Sequence, residues 1–178
     1  PTDFALWKFS PEGKKRQQEW QSPWGVGFPG WHLECSSMIL TELGETIDIH
    51  VGGEDLKMIH HQNEIAQSEC ATGKTFVNYW VHGAFLTVDG GKMSKSLNNF
   101  YTLSDIKNKG FSPLDLRYLF MTSHYKGSLN FTWEAMQNAQ NALNRIYDIV
   151  SGYEYDERAE VSDKYIKKFM EKLDEDLN

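Results

Sequence analysis

Thr46-Ile47-Asp48-Ile49-His50-Val51-Gly52-Gly53 is the stretch whose reading decides the fold. Apolar and polar residues alternate over 46–51 as in a short strand, and the glycine pair marks its stop. Glu54-Asp55 and a helix from about Lys57 to Thr72 follow, so the segment reads as one α/β unit. Gly52 and Gly53 carry no Cβ, which lets a nucleotide approach the backbone closely. A glycine pair alone has little specificity.

Working upstream, Leu33, Met38, Ile39, Leu40 and Leu43 predict a helix over about 31–43, entered at Pro29-Gly30 and ended by Gly44. Ser22 to Gly30 is rich in glycine and proline and reads as a loop. Trp20, Trp24 and Trp31 are a heavy aromatic load around it and call for something to pack on, a ligand included. Lys14-Lys15-Arg16 reads as a solvated basic run, with a phosphate backbone as its other reading.

Downstream, Phe76–Val88 is aromatic and β-branched and reads as a second strand with its approach. Short helices are expected at about 102–108 and 113–123, the latter with Ser112 as cap and Pro113 in its first turn. A long helix over about 132–151 has an apolar stripe through Ala135, Ala139, Leu143 and Ile146, and Gly152 ends it. A last helix over about 162–177 lines up Tyr165, Ile166, Phe169, Met170 and Leu173. These two read as the start of a helical bundle.

The 178 residues, 40% hydrophobic and 13% aromatic, are enough for a real core, so disorder is not expected. No run of about 18 apolar residues exists, and none is expected to span a membrane. The opening Pro1-Thr2-Asp3-Phe4 lacks the pattern of a signal peptide, and its lack of Met suggests a piece of a longer protein. Two cysteines, Cys35 and Cys70, are too few for a disulfide framework and suit a reducing, cytoplasmic setting. The net charge of −7 argues against nucleic acid, but residues 91–126 hold six basic side chains against two acidic ones. A local basic face can bind phosphates on an acidic protein.

Two constellations carry chemistry. Lys92-Met93-Ser94-Lys95-Ser96 follows the turn-forming Val88-Asp89-Gly90-Gly91. Lysines three apart on such a loop can bring mobile positive charge to a polyphosphate in its transition state. His60 and Glu64, four apart on the predicted helix, lie on one face, and Cys35 could add a thiolate. Cys, His and Glu are zinc ligands, and three of them with one open position is the catalytic pattern. On spacing alone, a surface pair beside a buried cysteine is the favoured reading. His61, about 100° around the helix, competes as a ligand.

Trp31-His32-Leu33-Glu34-Cys35-Ser36, then His60-His61-Gln62-Asn63-Glu64-Ile65-Ala66-Gln67-Ser68-Glu69, then Lys92 to Ser96, resemble the cysteinyl-tRNA synthetase family of class I in order and spacing. The resemblance runs from Asp3 to about Asn178. It implies the second half of a Rossmann-like α/β nucleotide-binding domain over 1–100, ending in the lysine loop. A short helical connection over 101–130 and the start of an α-helical bundle over 131–178 would follow.

The resemblance also implies ATP-dependent ligation of L-cysteine to tRNA(Cys) by way of cysteinyl-adenylate. Zn2+ would be held by Cys35, His60 and Glu64 and a further cysteine upstream, and would bind the substrate thiolate. Lys92 and Lys95 would act on the phosphates of ATP with its Mg2+. Gly52, Gly53 and Asp55 would border the adenosine, and Trp31 the cysteine pocket. His32 and His82 read as packing or orienting groups. A monomer, inactive as this piece alone, is expected.

Three positions depart from the family pattern: Gln62 stands for Glu, Val51 for a loop Gly, and Asn98 for the Gly after the lysine loop. Asn tolerates positive φ, which keeps that loop feasible. The rival readings are a cysteine ligase acting on an amino sugar in mycothiol synthesis, a zinc- or tRNA-binding piece without chemistry, and another class I synthetase.

Overall fold

A computed structural model describes residues 4–13, 15–154 and 162–177; Lys14 of the basic run lies outside them. Chain contacts divide into two compact units, Pro1–Gly83 and Ala84–Asn178.

In the first unit, β1 (Trp7–Phe9) pairs antiparallel with β2 (Gly27–Pro29), which the sequence did not reveal. Gly27 is required there, since a Cβ would meet the Trp7 indole and the Lys8 carbonyl. Arg16 lies over the Phe28 ring, 3.7 Å from its centroid, so this part of the basic run packs on an aromatic face. Trp20 and Trp24 stay exposed around an open apolar groove that Trp7, Trp20, Leu33 and Met38 help to line.

Helix α1 (Trp31–Glu42) ends before Gly44, whose φ is +99°. Strand β3 (Ile47–Gly53) and strand β4 (Val77–Gly83) form a parallel pair joined through helix α2 (His60–Thr72), the expected α/β unit. The strand runs through both glycines, because Gly52 pairs with His82 and Gly53 with Gly83. Helix α2 starts three residues later than expected, after a 3-10 turn at Glu54–Leu56, and Gly73 closes it in the left-handed conformation.

Ile47, Phe76 and Val77 are the buried hydrophobics here, with Ile39, Ile65 and Trp80 against them. Ser36, His60, His61, Glu64 and Ser68 are buried as well. A core in which buried polar groups outnumber apolar ones holds a site rather than merely a fold.

The expected strand over Phe76–Val88 is two strands. It breaks after Gly83, and β5 (Leu86–Val88) enters the second unit's sheet, order β6-β5-β7. Strand β6 (Gly91–Lys92) is antiparallel to β5 across Asp89-Gly90, both at positive φ, the geometry of a tight hairpin turn. Strand β7 (Leu129–Phe131), absent from the sequence reading, is parallel to β5.

Helices α3 (Leu103–Asn108) and α4 (Pro113–Met121) each begin in a reciprocal cap, Thr102 with Asp105 and Ser112 with Asp115. Helix α5 (Trp133–Ser151) packs on α4 and buries Met136 and Ala139 with Val88, Ile106, Leu119 and Phe131. Helix α6 (Asp163–Asp174) leaves Tyr165, Phe169 and Met170 exposed. No helix among the described residues is long and apolar enough to cross a membrane.

Candidate metal and substrate site

Helix α1 presents Trp31 and Cys35 one turn apart, and α2 presents His60 and Glu64 likewise. The two helices pack together, which brings Cys35 to the other pair. Ligating atoms of Cys35, His60 and Glu64 all lie within 4.8 Å of one another. His60 and Glu64, paired by their spacing, therefore converge with Cys35.

Glu64 is wholly buried. Its Oε2 lies 2.7 Å from His50 Nε2, and its Oε1 lies 2.7 Å from His60 Nε2. The second contact is not aligned as a hydrogen bond, so Oε1 is left without a partner. A buried carboxylate in that state, with an imidazole and a thiol close by, suits a borderline-soft cation such as Zn2+.

Around this centre the imidazoles pair. His32 Nδ1 is 2.7 Å from His60 Nδ1, and one of the two nitrogens must donate. That contact turns the Nε2 of His60 toward Glu64. His61 Nδ1 meets His82 Nε2 at 2.8 Å. Thus His61, named as a competing ligand, groups with His50 and Glu64, again within 4.8 Å, and not with Cys35.

Burial lowers the pKa of His61 to about 4, and it also lowers those of His32 and His82. Burial, then the Glu64 charge, pushes the Cys35 thiol up to about 11. A cation at this centre would reverse that bias, because it favours the thiolate.

Trp31 stacks on His60, ring centroids 4.2 Å apart, yet stays 55% exposed. It also stacks on His32, centroids 5.4 Å apart. Trp80 stacks on His50 at 4.8 Å and leans on His61 at 4.7 Å. The sequence reading did not single out His50 or Trp80. Their only signal was an alternating strand position, which does not say what lies across from it.

Gly52 does not border open space: a Cβ there would stand 2.5 Å from His61 Cε1. A Cβ on Gly53 would meet the Asp55 carboxylate. In the second unit, Lys92 ends β6 and Lys95 opens a 3-10 turn, Lys95–Leu97, with Ser94 as its cap. Both lysines are exposed. Asn98 adopts φ +52°, the left-handed conformation that glycine would otherwise supply.

Residues 1–141 match the family model described as tRNA synthetases class I (C) catalytic domain. The chain belongs to that family. Relatives of this synthetase piece include the Cysteine--tRNA ligase 1 of Burkholderia lata, 50% identical over 99% of the chain and 37% of the relative's length. The Cysteine--tRNA ligase of Protochlamydia amoebophila is 54% identical over 83% of the chain and 31% of its own length. That of Actinobacillus pleuropneumoniae serotype 5b is 47% identical over 100% of the chain and 38% of its own length. The chain thus spans about a third of the length of the relatives it matches. Among solved structures, Agrobacterium radiobacter K84 agnB2 LeuRS, in its ternary complex with tRNA and LeuAMS, superposes with a TM-score of 0.56 at 15% identity. The match covers 75% of the chain and 21% of that structure. It supports the α/β fold with parallel strands and helices.

Proposed function

We propose that this chain is the part of a cysteine--tRNA ligase that selects the amino acid and meets the phosphates of ATP. The observation that carries the reading is that ligating atoms of Cys35, His60 and the buried Glu64 lie within 4.8 Å of one another. The relatives' printed names agree with it.

In this reading the cysteine carboxylate attacks the α-phosphate of ATP, supplied with Mg2+, and pyrophosphate leaves. A terminal ribose hydroxyl of tRNA(Cys) then takes the acyl group from the adenylate, and AMP leaves with the broken anhydride bond. No side chain becomes covalently bonded. Lys92 and Lys95 balance the charge that gathers on the leaving pyrophosphate.

Cys35, His60 and Glu64 would hold Zn2+, which when bound supplies a metal–sulfur bond that a hydroxyl cannot match. His50 and His32 orient Glu64 and His60, and Trp31 covers the amino acid. Gly52, Gly53 and Asp55 shape the strand end that borders the adenosine. Residues 1–100 serve activation, 101–130 connect, and 131–178 begin the helical bundle that meets tRNA. The setting is the cytoplasm and the unit a monomer.

The test is a chimera in which this chain replaces the matched residues of the Burkholderia lata enzyme. Cysteine-dependent pyrophosphate exchange and tRNA charging, with serine rejected, are expected. A folded chimera that binds zinc but charges no cysteine would overturn the reading.

A further inference from the structure

The lysine loop is held by a side chain outside the pentapeptide. Asn99 uses both halves of its amide on the loop backbone. Its Oδ1 accepts from the Ser94 N–H at 2.8 Å, and its Nδ2 donates to the Lys92 carbonyl at 2.9 Å. A C=O and an N–H two residues apart face the same way along an extended strand, so the amide reads this edge as a neighbouring strand would.

The residue between them, Met93, packs against the core that contains Val88, Ile106 and Phe131. Residues 92–94 are therefore pinned from both sides, by Met93 inward and by Asn99 along the backbone. Beyond the clamp only a short tip is left. The Ser94 hydroxyl accepts from the Ser96 N–H at 3.2 Å, and Asn98 turns the chain back at φ +52°. Lys95 heads this tip, with its ammonium 5.5 Å from the Phe100 ring centroid.

We propose that Asn99 is the positioning residue of the lysine loop: by clamping Lys92 and Ser94 it fixes where Lys92 and Lys95 present their charge to a polyphosphate. The inference rests on the reading of this loop as the phosphate-binding element. Asn99 touches no substrate; it acts through the backbone of the residues that do. Neither end of the clamp is deeply buried, so water can replace it at little cost to stability. What is lost without it is preorganisation, which the ligand must then supply from its own binding energy.

The experiment uses the 15N-labelled 178-residue chain and inorganic pyrophosphate as the probe. In the parent chain the Ser94 amide is protected from exchange, and pyrophosphate shifts the resonances of residues 92–96. Asn99→Ala is expected to expose the Ser94 amide and weaken pyrophosphate roughly tenfold, with an unchanged melting temperature. Asn99→Asp keeps the acceptor for Ser94 but puts a carboxylate oxygen against the Lys92 carbonyl. It is expected to retain amide protection and still bind pyrophosphate less well than the parent.

Undiminished binding by both variants, while Lys95→Ala abolishes it, would overturn the role of Asn99 and leave the phosphate reading standing. No pyrophosphate binding by the parent chain, or binding indifferent to Lys95→Ala, would overturn both.

Discussion

His50, on strand β3, holds Glu64, on helix α2, through a 2.7 Å contact between Nε2 and Oε2. The contact fixes which carboxylate oxygen the strand engages. With Oε2 engaged by the strand, Oε1 is the atom that meets His60. Trp80 stacks on the far imidazole and keeps His50 from swinging away.

His50→Ala should therefore weaken zinc without abolishing it, by about 10–100-fold as for other groups that orient a ligand. Cys35→Ala, His60→Ala and Glu64→Ala should each cost more than that. Competition titrations against a chelator would measure all four. Equal losses for His50→Ala and Glu64→Ala would mean that His50 is itself a ligand.

Gly52 packs against an imidazole, and its substitution should show it. In Gly52→Ala the new methyl would press on His61 and disturb its 2.8 Å contact with His82. A loss of about 1–3 kcal/mol is expected, as for other over-packed sites. Gly83→Ala, with nothing within 4 Å of its Cβ among the described residues, should stay within about 0.5 kcal/mol. Urea unfolding of the pair makes the comparison.

Lys95→Ala, placed in the chimera with the Burkholderia lata enzyme, should slow pyrophosphate exchange by roughly 10²–10³-fold, the usual cost of a lost transition-state donor. The zinc content should not change. A rate loss accompanied by zinc loss would point to misfolding instead.

Acid should weaken the start of helix α3. The Thr102 hydroxyl and backbone N–H hydrogen-bond to Asp105 and hold its carboxyl below the ordinary aspartate value. A lowered folded-state pKa contributes stability above the unfolded-state value, and that stability fades as the pH falls through the folded one. Asp105→Asn should remove this contribution, so the variant's melting temperature should fall less steeply with acid below about pH 5. Identical slopes for the two proteins would dismiss the effect of this cap.

Much of the site could be read from residue order because its parts obey local rules. His60 and Glu64 share a face whatever surrounds the helix, since a turn of helix has a constant period. The caps at Thr102 and Ser112 are likewise local, each closing within three residues. Asn98 could be judged tolerable at positive φ before its φ was known, because its own side chain decides that.

Other features had no local signal. Residues 76–88 read as one strand, but the chain changes sheets after Gly83, because Leu86–Val88 finds its partner at Leu129–Phe131, more than forty residues on. The sharing of Glu64 between His50 and His60 depends on how α2 lies on β3, and no periodicity within either element reports that. The clamp by Asn99 was hidden for a related reason: an asparagine after a loop looks like a turn residue until its amide is seen to bridge the backbone.

Sequence by itself determined the short-range chemistry: which side chains share a helical face and which residues cap the helices at Thr102 and Ser112. Tertiary structure alone decided which sheet each strand joined, which imidazole met which oxygen of Glu64, and what filled the space beside Gly52. The reason is physical. Helical spacing and capping are satisfied within about one turn of chain, whereas strand pairing and the sharing of a buried carboxylate need groups that only folding brings together.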